Sequence, residues 1–176
     1  MKSIDKRRLI VTILLLVLTI AVTALLRIDC NFTRQVGKTE VPAGTYVTLG
    51  DACIFLSALI LGGPWAALVS AVGCTLADVF VGSYSYILGT FLIKGGMALV
   101  FGLLYRALPN RVRVAAFFIA SLLVPAGYFL YETILYGAVA AAPNLLFNLV
   151  QGLIGAGIAL AVCKISEKTG LRGKQP

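Results

Sequence analysis

The sequence predicts an all-α integral membrane bundle, a single domain over residues 1–176 with six transmembrane helices and both termini in the cytoplasm. Three observations carry that reading. Of the 176 residues 60% are hydrophobic and only 12% charged, with a mean hydropathy of +0.97; a soluble domain carries about 25% charged residues to keep its surface wet. The apolar residues come in long runs, not in the dyad alternation of barrel strands, and lipid tolerates only helices or closed barrels because unpaired backbone groups are too costly there. Finally, Lys and Arg gather on one side of those runs.

A bilayer core of about 30 Å needs roughly 20 helical residues. Candidate spans are 9–26, 48–61, 64–81, 86–105, 114–136 and 144–164. The first follows Lys2, Lys6, Arg7 and Arg8 and so resembles a signal peptide, but it is long for one and no A-x-A cleavage site follows. It reads as a retained helix. The second span is short, at 14 residues, and Gly62-Gly63-Pro64 separates it from the third, since Pro starts helices well and the residue before it avoids the helical region. Gly82-Ser83, Pro109-Asn110 and Pro143-Asn144 mark the remaining turns.

Basic residues then set the direction. The N-terminus carries four, the Arg106, Arg111 and Arg113 loop three, and the tail from Lys164 to Lys174 four. Six spans put these eleven on one side, against Arg27, Arg34 and Lys38 on the other, with the last of the 15, Lys94, inside the membrane. The formal charge of +8 is therefore a topology signal and not a nucleic-acid stripe. There is no histidine, which excludes histidine-based metal sites, triads and proton relays. Cys30, Cys53, Cys74 and Cys163 form no CxxC, and three of them lie in apolar segments, where Cys behaves as a small hydrophobe. No cofactor is expected.

Ionisable groups inside spans are expensive and usually functional. Asp78 lies near the outer end of the third span, Glu132 near that of the fifth, and Lys94 about 12 Å into the fourth. Asn144, Asn148 and Gln151 are spaced i, i+4, i+7 on one face of the sixth. Four spans thus place polar groups in the outer half of the membrane. Six of the seven tyrosines, Tyr46, Tyr84, Tyr86, Tyr128, Tyr131 and Tyr136, fall on that side too. Aromatic walls with a few convergent polar groups are the usual form of a small-molecule site. In this reading Glu132, Asn144, Asn148 and Gln151 hydrogen-bond ring substituents, Lys94 contacts a polar or anionic group, and Tyr84 and Tyr128 stack. Plainer readings stand beside it. Asp78 and Lys94 pair with each other, Asp51 caps the second helix, the tyrosines form an interfacial belt, and Asn148 and Gln151 join helices. Small residues, including Ala21 and Ala24 in the first span and Gly62, Ala66, Ala67, Ser70, Ala71 and Gly73 further on, serve internal packing or a docking face.

Leu49-Gly50-Asp51-Ala52-Cys53-Ile54-Phe55-Leu56-Ser57-Ala58-Leu59, then Leu61-Gly62-Gly63-Pro64, resembles the substrate-binding S components of energy-coupling factor (ECF) vitamin transporters. So do Leu76-Ala77-Asp78 with Gly82 and Tyr84, Thr90 with Ile93-Lys94-Gly95, Arg27-Ile28, and Asn148 with Gln151-Gly152. The resemblance covers nearly the whole chain and is closest to the branch with riboflavin-, hydroxymethylpyrimidine- and pyridoxine-type members. It implies a six-helix subunit of the cell membrane that captures a vitamin from outside, docks on a transmembrane T component with two cytoplasmic ABC ATPases, and topples to release its cargo inside. It also implies that the loop from Arg27 to Tyr46 is a lid over the site. On the reading of the residues themselves, Asp51 and Asp78 take structural or gating roles. The chain departs from the family in one place: an Ala-x-x-x-Ala docking motif is common there, whereas Ala21 and Ala24 are three apart. Two other classes compete. One is a membrane-embedded enzyme using Asp78, Glu132 and Lys94 for acid–base chemistry, which lacks any metal-ligand set or Ser-Lys signature. The other is a stand-alone carrier or exporter coupled to protons through Glu132.

Overall fold

The computed structural model describes residues 6–169; Lys2, Arg172 and Lys174 of the charge argument lie outside them. The chain runs α1 (Lys6–Leu25), β1 (Arg27–Val36), β2 (Thr39–Thr48), α2 (Gly50–Leu61), α3 (Gly63–Phe80), a 3-10 turn (Tyr84–Tyr86), α4 (Ile87–Ala107), a second 3-10 turn (Asn110–Val112), α5 (Val114–Ser121), α6 (Leu123–Tyr136) and α7 (Ala138–Lys168). Five helical runs, Lys6–Leu25, Gly63–Phe80, Tyr84–Ala107, Val114–Tyr136 and Ala138–Ser166, are long and apolar enough to cross a membrane; α2, with 12 residues, is shorter.

Three features differ from the sequence reading. The segment read as a loop from Arg27 to Tyr46 is an antiparallel hairpin, paired from Arg27↔Thr48 to Val36↔Thr39 around Gly37-Lys38. Next, the turn before the last helix is not at Pro143-Asn144. Gly137 makes it, at φ 87°, a conformation open to glycine, and Pro143 lies inside α7. The lost backbone bond there falls to the carbonyl of Val139, on an exposed face of the helix. Finally, the fifth run is broken between α5 and α6. Pro125 has no N–H for the carbonyl of Ser121, and the Ser121 hydroxyl turns back to the carbonyl of Phe118 at 2.8 Å.

Packing divides the bundle into two ends. At one end Phe55 (α2), Phe101 (α4) and Phe117 (α5) are fully buried, with ring centroids 4.6–5.2 Å apart. Met97 and Ile54 complete this dry core. At the other end the C-termini of α1, α3 and α6 and the N-termini of α2, α4 and α7 bring their polar residues together beneath the hairpin. The first helix buries only Leu15, Thr19 and Thr23, one stripe at four-residue spacing, and leaves Ile10, Leu14 and Val17 exposed. Small residues of its neighbours let it approach closely, Gly73 of α3 under Thr19 and Gly50 of α2 against Thr23.

The register of α7 against α2 rests on Gly155. A Cβ there would stand 2.6 Å from the Cβ of Asp51 and 3.1 Å from the backbone nitrogen of Ala52. Gly155→Ala should therefore cost about 1–3 kcal/mol through overpacking, read as a lower Tm of the detergent-purified protein. Gly157→Ala, where a Cβ meets nothing within 4 Å, should leave Tm unchanged or raise it. Equal effects at both positions would refute the close approach.

Candidate functional site

A cavity of about 550 Å3, counting its open mouth, lies at the polar end of the bundle. Its wall draws on α1 (Thr23), β2 (Gly44, Thr45, Tyr46 and Thr48), α2 (Asp51), α3 (Cys74 and Asp78), Ser83 and Tyr86 between α3 and α4, α4 (Thr90 and Lys94), α6 (Tyr128) and α7 (Asn144, Asn148 and Gln151). The hairpin contributes because alternate strand residues share a face. Gly44, Tyr46 and Thr48 accordingly line the cavity together.

Its floor is an ion pair. The Lys94 ammonium donates to Asp51 Oδ1 at 2.5 Å, with side-chain exposures of 5% and 1%. Two buried charges hold only when their remaining hydrogen-bonding capacity is also met. Gln151 meets it here, donating from Nε2 to Asp51 Oδ2 at 3.2 Å while its Oε1 accepts the backbone N–H of Thr48 at 3.0 Å. The Thr48 hydroxyl bonds the carbonyls of Val22 and Thr23 at 3.3 and 3.2 Å. One network thus joins α1, the hairpin, α2, α4 and α7. Lys94 also stands 5.6 Å from the ring centroid of Tyr128, within cation–π range.

Two further clusters form the sides. The Tyr46 hydroxyl donates to Asp78 Oδ1, tying β2 to α3. Burial first, then the neighbouring carboxylate, pushes that hydroxyl well above the ordinary tyrosine value, so it stays protonated and donating. Thr90 and Tyr128 share a hydrogen bond of 2.8 Å across α4 and α6. Glu132 Oε1 accepts from the Tyr86 hydroxyl at 2.7 Å and from the Asn144 amide. Asn148 donates to the carbonyl of Asn144 at 3.1 Å.

The structure brings together Lys94, Tyr128, Asn144, Asn148, Gln151, Asp51 and Asp78 of the residues picked from the sequence. It separates two others. Tyr84, expected to stack on a ligand, is 66% exposed and off the wall, because the 3-10 turn presents Tyr86 inward instead. Glu132 is fully buried behind Tyr86 and Asn144, one side chain removed from the cavity. Two plainer readings are corrected as well. Lys94 pairs with Asp51 and not with Asp78, since Asp51 enters from the start of α2 and Asp78 is held by Tyr46. Nor does Asp51 cap α2: the residue before the helix is Leu49, no side-chain cap bond forms, and the carboxylate turns to Lys94. Ala21 and Ala24 are half-buried on α1.

Tyr46, Thr48 and Tyr86 were not picked as site residues from the sequence. The hairpin had a signal: Val41, Thr45, Val47 and Thr48 are strand formers, and Gly37 sits midway between two ten-residue strands. Thr23 and Cys74 had none, being apolar-tolerant residues inside apolar runs.

A family profile described as "ECF-type riboflavin transporter, S component" matches residues 9–168. The chain is also similar to the thiamine precursor transporter HmpT of Lactococcus lactis subsp. cremoris (strain MG1363), 28% identical over 129 residues, which cover 73% of this chain and 74% of that protein. A further relative is an uncharacterized protein from the gap 3′ region of Pyrococcus woesei, 30% identical over 138 residues, covering 75% and 93% of the two chains.

The floor network makes a stability prediction. Lys94→Met leaves Asp51 buried without its cation and should cost about 3–5 kcal/mol, whereas Lys94→Met with Asp51→Leu should recover much of that loss. Thermal unfolding in detergent reads both. A double variant no more stable than the single would show that the pair is not the coupled unit described.

Proposed function

Since this chain belongs to the ECF-type riboflavin transporter S component family, whose members are multi-pass membrane transport proteins and not enzymes, we propose that it is the substrate-capture subunit of an ECF-type importer for a small, flat, vitamin-like molecule. The observation that carries this is the cavity itself: hydroxyls, amides and two carboxylates from six helices and the hairpin converge on one space at the polar end of the bundle. The family is named for riboflavin and the Lactococcus relative for a thiamine precursor. Both kinds of molecule present a flat heterocycle with hydrogen-bonding edges.

In this reading the chain crosses the membrane six times with both termini in the cytoplasm, so the cavity opens outward under the hairpin. Asn144, Asn148, Thr90 and Asp78 bond the edges of the ring, Tyr128 and Tyr86 cover its faces, and Lys94, Asp51 and Gln151 hold the floor. Glu132 acts through Asn144 and Tyr86. Release inward follows docking on a transmembrane T component with two cytoplasmic ABC ATPases, and Ala21 and Ala24 of α1 are the docking residues to try first.

Binding to the purified chain tests the site. Asn148→Ala and Tyr128→Ala should each weaken ligand binding about 10-fold or more, the loss expected for one buried polar or stacking contact. Unchanged affinity in Glu132→Gln combined with Asn148→Ala would refute the assignment. In proteoliposomes the chain alone should not accumulate ligand, and addition of the T component and ATPases with ATP should start uptake. Accumulation without any ATPase would favour a self-sufficient carrier instead.

A further inference from the structure

Tyr131 stands off the cavity wall, yet it is built into the segment that forms it. Its hydroxyl donates to the backbone carbonyl of Ser85 at 2.6 Å. Its ring lies against α4 at Gly89, where a Cβ would stand 2.8–2.9 Å from three ring atoms, so glycine alone leaves room for it. The ring centroid is also 6.2 Å from that of Tyr86, which does line the cavity. A tyrosine that serves only as an interfacial anchor leaves its hydroxyl to water and headgroups. This one is committed to the backbone of a neighbouring segment.

The backbone it holds is the one that aims Tyr86. With three residues per turn, Tyr84 and Tyr86 point about 120° apart, so the rotation of the chain at Ser85 decides which of them enters the wall. The 3-10 turn has no side-chain cap of its own, and Gly82 before it, at φ 79°, meets nothing within 4 Å at its Cβ position. Helix α6 supplies the missing hold from one face, at positions 128, 131 and 132. Tyr128 packs its ring 6.2 Å from that of Tyr86, and Glu132 accepts the Tyr86 hydroxyl at 2.7 Å. Those two contacts grip the side chain, whereas Tyr131 grips the root of the turn. Tyr86 accordingly lines the cavity while Tyr84 is 66% exposed.

We propose that Tyr131 is a positioning residue of the capture site: without touching the occupant, it locks the Ser85 carbonyl so that Tyr86 and not Tyr84 closes the wall beside α6. This rests on the reading of the cavity as a capture site and adds that the seal is set from outside it. Loss of the Tyr131 hydroxyl frees the turn to rotate and opens the wall at Tyr86.

Cys74 lines the same cavity and is 2% exposed, which gives a readout that needs no knowledge of the occupant. The full-length chain in detergent is treated with N-ethylmaleimide, and modification of each cysteine is followed by peptide mass spectrometry. Tyr131→Phe, which deletes only the hydroxyl, should speed alkylation of Cys74 about 3- to 10-fold, the span expected for one neutral hydrogen bond. Gly89→Ala, which displaces the ring, should do at least as much. Cys163, buried near the far end of α7 and off the cavity wall, should react as in the wild type. In a Tyr86→Ala background Tyr131→Phe should have no further effect on Cys74, because nothing is left to position. Thermal melts check that each variant is folded. A Cys74 rate unmoved by both Tyr131→Phe and Gly89→Ala would overturn the proposal. So would a matching rise at Cys163, which marks general loosening, or an acceleration that survives undiminished in Tyr86→Ala. Each of these outcomes leaves the importer reading intact. A wild-type chain that neither binds riboflavin nor carries a co-purifying small molecule would sink that reading, and the Cys74 rates would still decide whether Tyr131 positions Tyr86.

Discussion

Lys94 stands on the fourth helix of a chain built for lipid, with 4% of its surface exposed. An isolated ammonium at such a place costs several kcal/mol at the least, whichever scale is used. It persists because Asp51 arrives at 2.5 Å from the first turn of α2, where the positive end of the helix dipole also favours a carboxylate. Much of the polar end follows from satisfying that pair. Asp51 has a second oxygen to occupy, which draws in Gln151 and sets the rotation of α7. Gln151 has a carbonyl to occupy, which draws in the Thr48 N–H and seats the base of the hairpin.

The two ends of the bundle solve different problems with the same helices. Where Phe55, Phe101 and Phe117 meet, close packing does the holding, and a single rigid arrangement results. At the polar end the helices are held by hydrogen bonds between side chains, which fix direction but do not need to fill space. A cavity can exist there without loss of register because the bonds run around it. The glycine at 155 and the single-residue turn at Gly137 permit this geometry: the first lets α7 lie against Asp51, and the second starts α7 early enough to carry Asn144, Asn148 and Gln151 down one side.

How much of this was legible in the sequence divides along physical lines. Composition and runs of apolar residues announce a membrane protein because lipid acts on every residue of a span. Asn144, Asn148 and Gln151 were legible as one face because helical periodicity is local. Partner choice was not. Asp51 and Asp78 are both acids at helix ends near one lysine, and only tertiary geometry decides that Lys94 takes the first while Tyr46 takes the second. Tyr84 and Tyr86 are two residues apart in a 3-10 turn and so point about 120° apart around it, and the packing of the turn, not its sequence, decides which faces inward. The hairpin was overlooked because an alternating pattern in 22 residues is faint beside five long apolar helices, although its strand formers were in view.

The same bonds that neutralise the buried charges also shape what the site can accept. Each donor drawn into the network, from Gln151, Asn148, Tyr86 and Tyr46, is one fewer that a ligand can use. Acceptors are harder to exhaust, since each carboxylate and amide oxygen has two lone pairs and the helices supply few free N–H groups away from their first turns. A polar cavity built from carboxylates and amides inside a helical bundle therefore tends towards surplus acceptors.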